Sequence, residues 1–592
     1  MRLTTAALLL SLAFPATAFG ASAISLSTTV DQVSLRPGES QFVTVTVSNA
    51  GVDPATVPVD VVLHWDLAKS REVGHASVTV PGSGSGTANF AFPAGPALFG
   101  YEVRATDSAD VTVAPAGAFF TVHRNLWQVS MQGSGLRGHG LDNPLATQAD
   151  RLQTAAGARS SLNNHLEFFA WAPDDFSTLD PPANVWYAGQ TSYPASKLAL
   201  HETIDALHAA GATVSAYAKG QMGGPAAFEF FRTHPEWTGA PYNSTWNVFD
   251  LKEYATKSPF NEGEQHWPRA MCDFGSWPIA QYHIDQLKAA ADEFRFDAVR
   301  YDDHLQVGWV NDGYNPMSAR NMEQIIAQLR AERPYFGFGF NWTTGDTKPL
   351  WDRHGGQPTP DWPIAGAAGS QIMDEEVGQI YGNARPAQGA PWTAYVQRLL
   401  ADRALTEPYG GKVFVMQAPS PLGPVDSTYR NALVLALRLF HTNFDAGAAG
   451  QFARFATRYA SLLRSDGCTP LTPDQITISA GQPLWGGTMA YRYPTEAGHG
   501  RIVVHLLNPP GDTLGAPGSF GRGGAAPAFP PPVQNVRVHL QLPSGWTATS
   551  ATAIDAATLV NTGVPAVGAR LDLAVPAVDI WSVVVIDCEV AQ

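Results

Sequence analysis

Three stretches near the start of the chain alternate apolar and polar residues. They are "QFVTVTVSNAG" (41–51), "VPVDVVLHWDL" (57–67) and "HASVTV" (75–80), and the turn-forming clusters "LRPGES" (35–40) and "PGSGSG" (81–86) flank them. Alternation with a period of two is typical of half-buried β-strands. Short strands at this spacing predict an immunoglobulin-like β-sandwich over residues 24–124.

From about residue 125 the pattern changes to short apolar runs followed by segments with helical spacing. In the first such segment Leu200, Ile204 and Leu207 share one helical face, and Gly211 is a stop signal. The apolar runs are "HLEFFAWAP" (165–173), "TVSAYAKG" (213–220), "FDAVRYDD" (296–303), "YFGFGFNW" (335–342), "GSQIMDEE" (369–376) and "KVFVMQAP" (412–419). Repeated β-then-α units predict a parallel sheet, and most economically a (β/α)8 barrel over residues 125–467. A doubly wound sheet is the alternative, and the lack of a Gly-rich dinucleotide fingerprint after the first strand counts against it.

After Cys468 the chain again has the pattern of strands, as in "RIVVHLLN" (501–508) and "WSVVVIDCEV" (581–590). A Gly- and Pro-rich insert at 509–532 interrupts this region and is typical of a surface loop. We therefore expect a C-terminal β-sandwich over residues 468–592, and a layout of sandwich, barrel and sandwich.

The composition narrows the choice of ligand. Hydrophobic residues make up 45% of the 592 residues and charged residues 15%, with a net charge of −15. Such a chain can bury large cores, while its acidity and its lack of a long basic run argue against nucleic acid and anionic membranes as partners. Its 16 Trp, 17 Tyr and 29 Phe suit a neutral poly- or oligosaccharide. We expect a monomer.

The first 23 residues have the pattern of a secretory signal peptide. Arg2 supplies the positive charge, residues 6–14 form a short apolar core, and "ATA" (16–18) and "ASA" (21–23) are small-x-small cleavage sites. No later apolar segment is long enough to span a bilayer. We expect a secreted or periplasmic protein.

Three cysteines occur, at 272, 468 and 588. In an oxidising compartment a bridge between Cys468 and Cys588 is plausible, and three free thiols are the equal alternative. No Cys/His spacing indicates zinc, and no cofactor is expected. Asp174 and Asp175 could bind a structural Ca²⁺, but without a spaced ligand loop solvated acids are the simpler interpretation.

Polar and aromatic residues follow the predicted barrel strands, at the end where barrel enzymes carry their active sites. Two clusters are acidic, at Asp302–Asp303 and at Asp374–Glu376. Residues placed to contact a sugar by stacking or hydrogen bonding are Trp171, Tyr217, Arg300, His304, Asn341 and Trp342. Paired carboxyl groups beside aromatic faces suit glycoside cleavage, in which one carboxylate meets the anomeric carbon and a second, protonated group serves the leaving oxygen. For the Trp and Tyr residues, barrel packing is the alternative.

Alternation in "FDAVRYDD" assigns roles to its acids. It puts Arg300 and Asp302 on one strand face, and there Arg300 would lower the pKa of Asp302 and keep it ionised, as a nucleophile requires. Asp297 falls on the other face and is expected to make a structural bond within the barrel. Asp303 could be a neighbouring hydrogen-bonding group or a helix cap.

These stretches resemble the dextranase and cycloisomaltooligosaccharide glucanotransferase family of glycoside hydrolases. "FDAVRYD" (296–302) is similar to its nucleophile motif F-D-G-x-x-x-D, with Ala298 in place of Gly. "QIMDEEVG" (371–378) is similar to its acid segment D-F-L-Y-x-E-V-W and keeps Glu376 and Val377. Departures from the family are Ala170 where it has an Asp in the first strand, Gln371 for Asp, Asp374 for Tyr and Gly378 for Trp.

The resemblance implies a retaining double displacement on α-glucosidic bonds, with Asp302 as nucleophile and Glu376 as acid/base. Glu375 competes for the second role. Such a pair needs carboxyl groups about 5–5.5 Å apart. Two alternatives stay open: a carbohydrate-binding protein without catalysis, and an inverting hydrolase of the same layout.

Overall fold

The computed structural model describes part of the chain. The described residues are 22–95, 99–133, 148–169, 171–172, 179, 184–187, 194–219, 221–223, 233–234, 269–271, 277–302, 316–342, 370–374, 396–397, 399–400, 403–404, 407, 410–417, 424–443, 446–494, 496–510 and 528–591.

The N-terminal unit consists of eight strands in two sheets. The strands are β1 Ile24–Val30, β2 Ser34–Leu35, β3 Ser40–Asn49, β4 Ala55–Trp65, β5 Lys69–Val80, β6 Gly84–Pro93, β7 Phe99–Asp107 and β8 Ala116–Val122. One sheet has the order β1-β3-β6 and the other β2-β8-β7-β4-β5. Alternate residues of β3 and β4, such as Val45 and Val59, are fully buried in a core that the two sheets share, because side chains alternate between the faces of a strand.

The middle of the chain alternates strands and helices. In chain order they are β9 Gln132–Gly133, α1 Gln148–Ser161, β10 His165–Phe168, β11 Val185–Tyr187, β12 Pro194–Ser196, α2 Lys197–Ala209, β13 Thr213–Lys219, β14 Gln221–Gly223, β15 Arg269–Met271, α3 Trp277–Phe294, β16 Ala298–Asp302, α4 Pro316–Glu332, β17 Gly337–Trp342, β18 Ser370–Asp374, β19 Lys412–Gln417, α5 Pro424–Ala436, β20 Phe440–Asn443, α6 Ala446–Arg458 and α7 Ala460–Arg464. A short 3-10 turn, Leu126–Val129, precedes β9.

Eight of these strands close into a barrel with the order β10-β13-β16-β17-β18-β19-β20-β9. Every neighbouring pair is parallel. A closed parallel barrel, and not the doubly wound sheet, is therefore the arrangement of the described strands. Outward-facing residues such as Val299 and Phe338 pack with Ile204 and Ile284 of the surrounding helices in one core.

The C-terminal unit again has two sheets. Its strands are β21 Thr469–Pro470, β22 Ile476–Ser479, β23 Ala490–Arg492, β24 His499–Leu507, β25 Val536–Gln541, β26 Trp546–Asp555, β27 Asn561–Val564, β28 Arg570–Val575 and β29 Trp581–Val590, with a 3-10 turn at Gly487–Met489. The six-stranded sheet β21-β23-β24-β29-β26-β27 packs one face on the three-stranded sheet β22-β25-β28 and the other on the barrel helices.

Cys468 and Cys588 are both free and buried. Cys468 lies in the core between the barrel helices and the six-stranded sheet, whereas Cys588 lies in the core between the two C-terminal sheets. The alternative with a bridge between them is therefore wrong for this structure. Cys272 lies outside the described residues.

Both β units contact their neighbours through ion pairs and close backbone approach. Arg458 of α6 lies 3.6 Å from Glu102 of β7, and a Cβ on Gly100 would come within 1.9 Å of the Thr457 carbonyl oxygen. Arg501 of β24 donates to Asp66 at the turn after β4 at 2.8 Å. Among the helices that the structure describes, none has both the length and the apolar character needed to cross a membrane.

Candidate active site at the strand ends of the barrel

Two acidic strand ends lie at the same end of the barrel, one strand apart. Asp302 is the last residue of β16 and is paired in register with Lys219. Asp374 is the last residue of β18 and is paired with Trp342 of β17, the strand between them. Because neighbouring strands lie about 4.8 Å apart, the backbones of β16 and β18 are separated by roughly 10 Å.

The remaining predicted residues of this region divide into two groups. Asn341 and Trp342 are the last two residues of β17, so their backbones are at the expected end of the barrel. His304, Asp303, Glu375 and Glu376 lie outside the described residues, as do Asp174 and Asp175. Their predicted roles stay predictions.

Arg300 forms an ion pair with Glu167 inside the barrel, and its predicted effect on the pKa of Asp302 stays a prediction. Its Nε and Nη2 donate to the two carboxylate oxygens of Glu167 on β10, the second of these bonds at 2.8 Å. Both side chains are buried inside the barrel. The prediction that Arg300 binds substrate is thus corrected, because the guanidinium is enclosed and held by a carboxylate of β10, with one strand, β13, between β10 and β16.

Tyr217 lies inside the barrel on β13, the strand between those that carry Glu167 and Arg300. The centre of the Arg300 guanidinium is 4.6 Å from the centroid of its ring, and the Phe169 ring packs at 4.4 Å. The side chain has no exposed surface. Tyr217 therefore supports Arg300 from within the barrel, and the prediction that its ring stacks on substrate is wrong for this structure.

Trp171 belongs to the layer between the barrel and its helices. Strand β10 ends at Phe168, and beyond it the Trp171 ring packs on Phe296 at 4.9 Å. Its indole N–H donates to the Tyr217 carbonyl oxygen at 2.9 Å, and the side chain is fully buried. In the structure Trp171 is therefore a core residue, as the alternative to substrate contact predicted.

Below the Arg300 layer the barrel interior is also polar. His165 of β10 is hydrogen-bonded to the hydroxyls of Thr213 at 2.8 Å and Ser215 at 3.1 Å. Burial lowers the pKa of His165 to about 3, so the ring is neutral. A neutral imidazole between two hydroxyls has a partner for each ring nitrogen and can stay buried at little cost.

Trp127 closes the opposite end of the barrel. Its ring meets His165 edge-on at 4.5 Å, and a Cβ on Gly337 would lie 2.9 Å from it. A glycine is therefore needed at 337 to admit the indole. Between Trp127 and Arg300 lies a small cavity with room for about one water molecule, lined also by Ser215 and Gln371.

Asp297 makes the structural bond that the sequence predicted. Its Oδ2 accepts from the backbone N–H of Val214 at 2.8 Å and lies 2.8 Å from His208 Nε2. It thereby joins the start of β13, the end of α2 and the start of β16. These contacts agree with the structural bond predicted for Asp297, while the role of Asp302 stays a prediction.

Glu167 is the interior residue that sequence reasoning missed. Its signal was an acid in the middle of the apolar run "HLEFF", with an arginine in a later barrel strand at "AVRYD". A buried charge needs a partner of opposite sign, so the two strands had to bring these residues together. Among the described residues no cluster of three or more His, Cys, Asp or Glu side chains could hold a metal ion.

Comparisons with known proteins agree on the fold. No protein-family model matches the chain, and a search of curated proteins found no match. Among solved structures, a Paenibacillus sp. cycloisomaltooligosaccharide glucanotransferase complexed with cycloisomaltoheptaose is similar with a TM-score of 0.69 and 11% identity, covering 95% of this chain and 100% of that one.

Two further solved structures are less similar. Trehalose-6-phosphate hydrolase from Bacillus licheniformis matches with a TM-score of 0.46 and 7% identity, over 78% of this chain and 99% of that chain. An α-amylase from Geobacillus thermoleovorans matches with a TM-score of 0.44 and 10% identity, over 78% and 98%. The predicted resemblance to the glucanotransferase family is confirmed at the level of the fold.

Proposed function

We propose that this chain is a retaining glycoside hydrolase or transglycosylase that acts on the α-glucosidic bonds of a dextran-like glucan. The observation that carries the proposal is the position of two acidic strand ends, Asp302 and Asp374, whose backbones lie at the same end of the barrel with only β17 between their strands. The fold match over the whole length of a glucanotransferase, together with the two motifs at 296–302 and 371–378, supports it.

In this mechanism Asp302 is the nucleophile. Its ionised carboxylate attacks the anomeric carbon, and Glu376 donates its proton to the departing glycosidic oxygen. Glu376, now a base, then removes a proton from water or from a sugar hydroxyl, and that oxygen displaces Asp302. The backbones of β16 and β18 lie roughly 10 Å apart, and retention requires that the two carboxyl groups come to about 5–5.5 Å from each other.

Sugar contacts fall to the residues beyond the strand ends. His304, Asn341 and Trp342 are the proposed subsite residues, by hydrogen bonding and stacking. Arg300, Tyr217 and Trp171 lie beneath this surface and serve the site by packing. The glucanotransferase of similar fold was complexed with cycloisomaltoheptaose, which makes an α-glucan the first substrate to test.

The deciding experiment compares two acid-to-amide variants with their nearest neighbours in sequence. Asp302→Asn and Glu376→Gln should lower turnover of α-glucan at least a thousandfold while the folded fraction is unchanged. The matched controls are Asp303→Asn and Glu375→Gln, which should retain turnover within about tenfold. Proton NMR of the reactions with a panel of α- and β-glucans identifies which glucan is cleaved. The anomer of the product released first shows whether the configuration is retained. Undiminished turnover in Asp302→Asn would refute the assignment of the nucleophile.

A carbohydrate-binding protein without catalysis is the second candidate, and the departures of the acid segment at Gln371, Asp374 and Gly378 favour it. It predicts glucan binding with no product from any polysaccharide. Release of the opposite anomer would instead indicate an inverting hydrolase, whose carboxyl groups stand further apart.

The remaining proposals concern the layout. The N-terminal unit is an immunoglobulin-like sandwich, the C-terminal unit a second sandwich, and the protein is a secreted or periplasmic monomer that needs no cofactor. Intact mass and N-terminal sequencing of exported protein would test removal of the first 18–23 residues, and light scattering would test the monomer.

A further inference from the structure

The outer face of the sheet β1-β3-β6 is a regular array of uncharged polar side chains. The register of the three strands lines these side chains up in rows across the sheet. The rows are Ser25, Ser48 and Ser85; Ser27, Thr46 and Thr87; and Thr29, Thr44 and Asn89. Every one of these side chains except that of Asn89 carries a hydroxyl, and none carries a charge. We call these nine residues the hydroxyl face.

The hydroxyl face is exposed and uninterrupted. Its residues on β1 and β6 are exposed, and Thr44 and Thr46 on the central strand are partly so. Both pairings of β3 run without a register shift, whereas that of β4 with β5 shifts between Val61 and Val62. With strands about 4.8 Å apart and a rise of about 3.4 Å per residue, the array covers roughly 10 by 14 Å. Phe42 on β3, 53% exposed, extends it at one end.

The barrel lies against the other sheet of the N-terminal unit. Tyr101 of β7 points into the sandwich core, so its neighbours Gly100 and Glu102 face outward. These two residues approach the backbone carbonyl oxygen of Thr457 and the side chain of Arg458 on α6. The hydroxyl face is therefore on the side of the sandwich that points away from the barrel, where a large partner has access.

The absence of charge distinguishes the hydroxyl face from a comparable surface of the same chain. The three-stranded sheet β22-β25-β28 of the C-terminal unit also has an outward face, and there Arg537, His539 and Asp572 are about half exposed and contact one another. The chain as a whole has a net charge of −15. A charge-free array on such a protein selects for partners that are themselves uncharged.

The residue types narrow the partner further. Nucleic acids and anionic membranes are bound through Lys and Arg, and protein interfaces are rich in aromatic residues, Met and Arg and poor in Ser. A neutral polysaccharide presents hydroxyls that both donate and accept hydrogen bonds, as Ser and Thr do. Binding it to these short side chains immobilises few rotatable bonds and removes no charge from water.

We propose that the hydroxyl face is a docking surface for a neutral glucan, and that it holds the polymer on which the barrel acts. The identity of the polymer rests on the proposed function. Each hydroxyl contact contributes little, because water competes for both partners. The surface therefore retains a long polymer, whose many units can rebind, far better than a short oligosaccharide.

Affinity electrophoresis of the full-length chain tests the proposal. Asp302→Asn protein, which should leave the polymer uncut, migrates through native gels with and without high-mass dextran. Adding Thr46→Val/Thr87→Val replaces two directly opposed hydroxyls by methyl groups without a change of charge. This pair should weaken the retardation by dextran at least about threefold, as expected for the loss of two weak hydrogen bonds. Ser27→Ala/Thr29→Val on β1 should act in the same way.

The matched control is Thr56→Val/Thr79→Val. These two threonines are exposed and directly opposed on β4 and β5 of the other sheet, with their hydroxyl oxygens 3.3 Å apart. Their replacement should leave the retardation unchanged, and thermal unfolding establishes that each variant is folded. Unaltered retardation in both hydroxyl-face variants overturns the inference. An equal loss in the control variant, or a parent protein that dextran does not retard, overturns it as well.

Turnover by chains with Asp302 intact separates this inference from the proposed function. Thr46→Val/Thr87→Val should raise KM for high-mass dextran at least about threefold, while kcat and the KM for a short isomalto-oligosaccharide stay at wild-type values. A wild type that cleaves no dextran but is retarded through the hydroxyl face refutes the proposed function alone. A wild type that cleaves dextran while neither retardation nor KM depends on these threonines refutes this inference alone.

Discussion

The Asp297 carboxylate ties three elements together through two contacts of 2.8 Å, one to the Val214 backbone N–H and one to His208 Nε2. Asp297→Ala should lower the free energy of unfolding by about 1–3 kcal/mol, because it leaves a buried donor without an acceptor. Asp297→Asn keeps an acceptor oxygen and should cost less. Urea unfolding at pH 7 measures both.

The surface residue Asp292 is the control for this prediction. Its carboxylate pairs with Arg333, but its side chain is 73% exposed, so Asp292→Ala should change stability by less than about 1 kcal/mol. Folded Asp297→Ala protein should retain its turnover, in contrast to Asp302→Asn. Lost turnover at full stability would instead put Asp297 in the site.

Replacement of glycine by alanine should have opposite effects on stability at Gly339 and at Gly157. Gly339→Ala would bring a Cβ within 3.1 Å of Arg300 Cγ and should destabilise by about 1–3 kcal/mol, because the crowded arginine is anchored. Gly157→Ala, exposed within α1 and with no atom near the new Cβ, should stabilise by about 0.5–1 kcal/mol. Thermal melts of the pair check the signs. Equal melting temperatures of the two variants would mean that the Arg300 side chain can move away from the new methyl group.

Strand alternation predicted much of the barrel, and its limits are visible at single residues. It put Arg300 on a face with Asp302 but could not name Glu167, since the partner depends on which strands the barrel makes close. The prediction that Trp171 contacts the substrate was wrong for a different reason. The apolar run "HLEFFAW" continues past the strand, which ends at Phe168, and a pattern without a break cannot show where the backbone leaves the sheet.

For the candidate acids, too, local sequence motifs and the order of strands in the sheet supply different information. The order of the motifs selects Asp302 and Glu376 as candidates, because each follows an apolar run in the sequence, and their roles stay predictions. The distance between the ends of β16 and β18 depends on the number of strands between them, which is a property of sheet order and not of any local pattern. The sheet order shows that one strand, β17, lies between β16 and β18.

Stability should not depend on disulfide reduction at Cys468 and Cys588. Both thiols are free, and burial raises the pKa of each, that of Cys588 to about 11. Urea midpoints with and without dithiothreitol should therefore coincide. Alkylation followed by mass spectrometry should label both residues only after unfolding. A lower midpoint in reductant, with a mass lower by two hydrogen atoms in the non-reduced protein, would reveal a bridge.

Buried histidines predict a loss of stability as the pH falls. Burial lowers the pKa of His165, His283 and His505 to about 3 each, while the unfolded chain binds a proton at about 6.5. Above pH 6.5 neither state is protonated and stability is full. Between 6.5 and 3 the unfolded state binds more protons, so the free energy of unfolding falls by about 1 kcal/mol per pH unit for each ring.

His505 offers the cleanest test, since both of its ring nitrogens lack a hydrogen-bond partner among the described residues and it packs against Trp581. His505→Leu has a similar volume and removes one titrating group. At pH 5 it should unfold with about 2 kcal/mol more free energy than wild type, and at pH 7 the gain should be smaller. His75→Gln, with its side chain 81% exposed, should change neither value. Parallel wild-type and His505→Leu curves from pH 7 to pH 5 would mean that His505 takes up its proton in the native state.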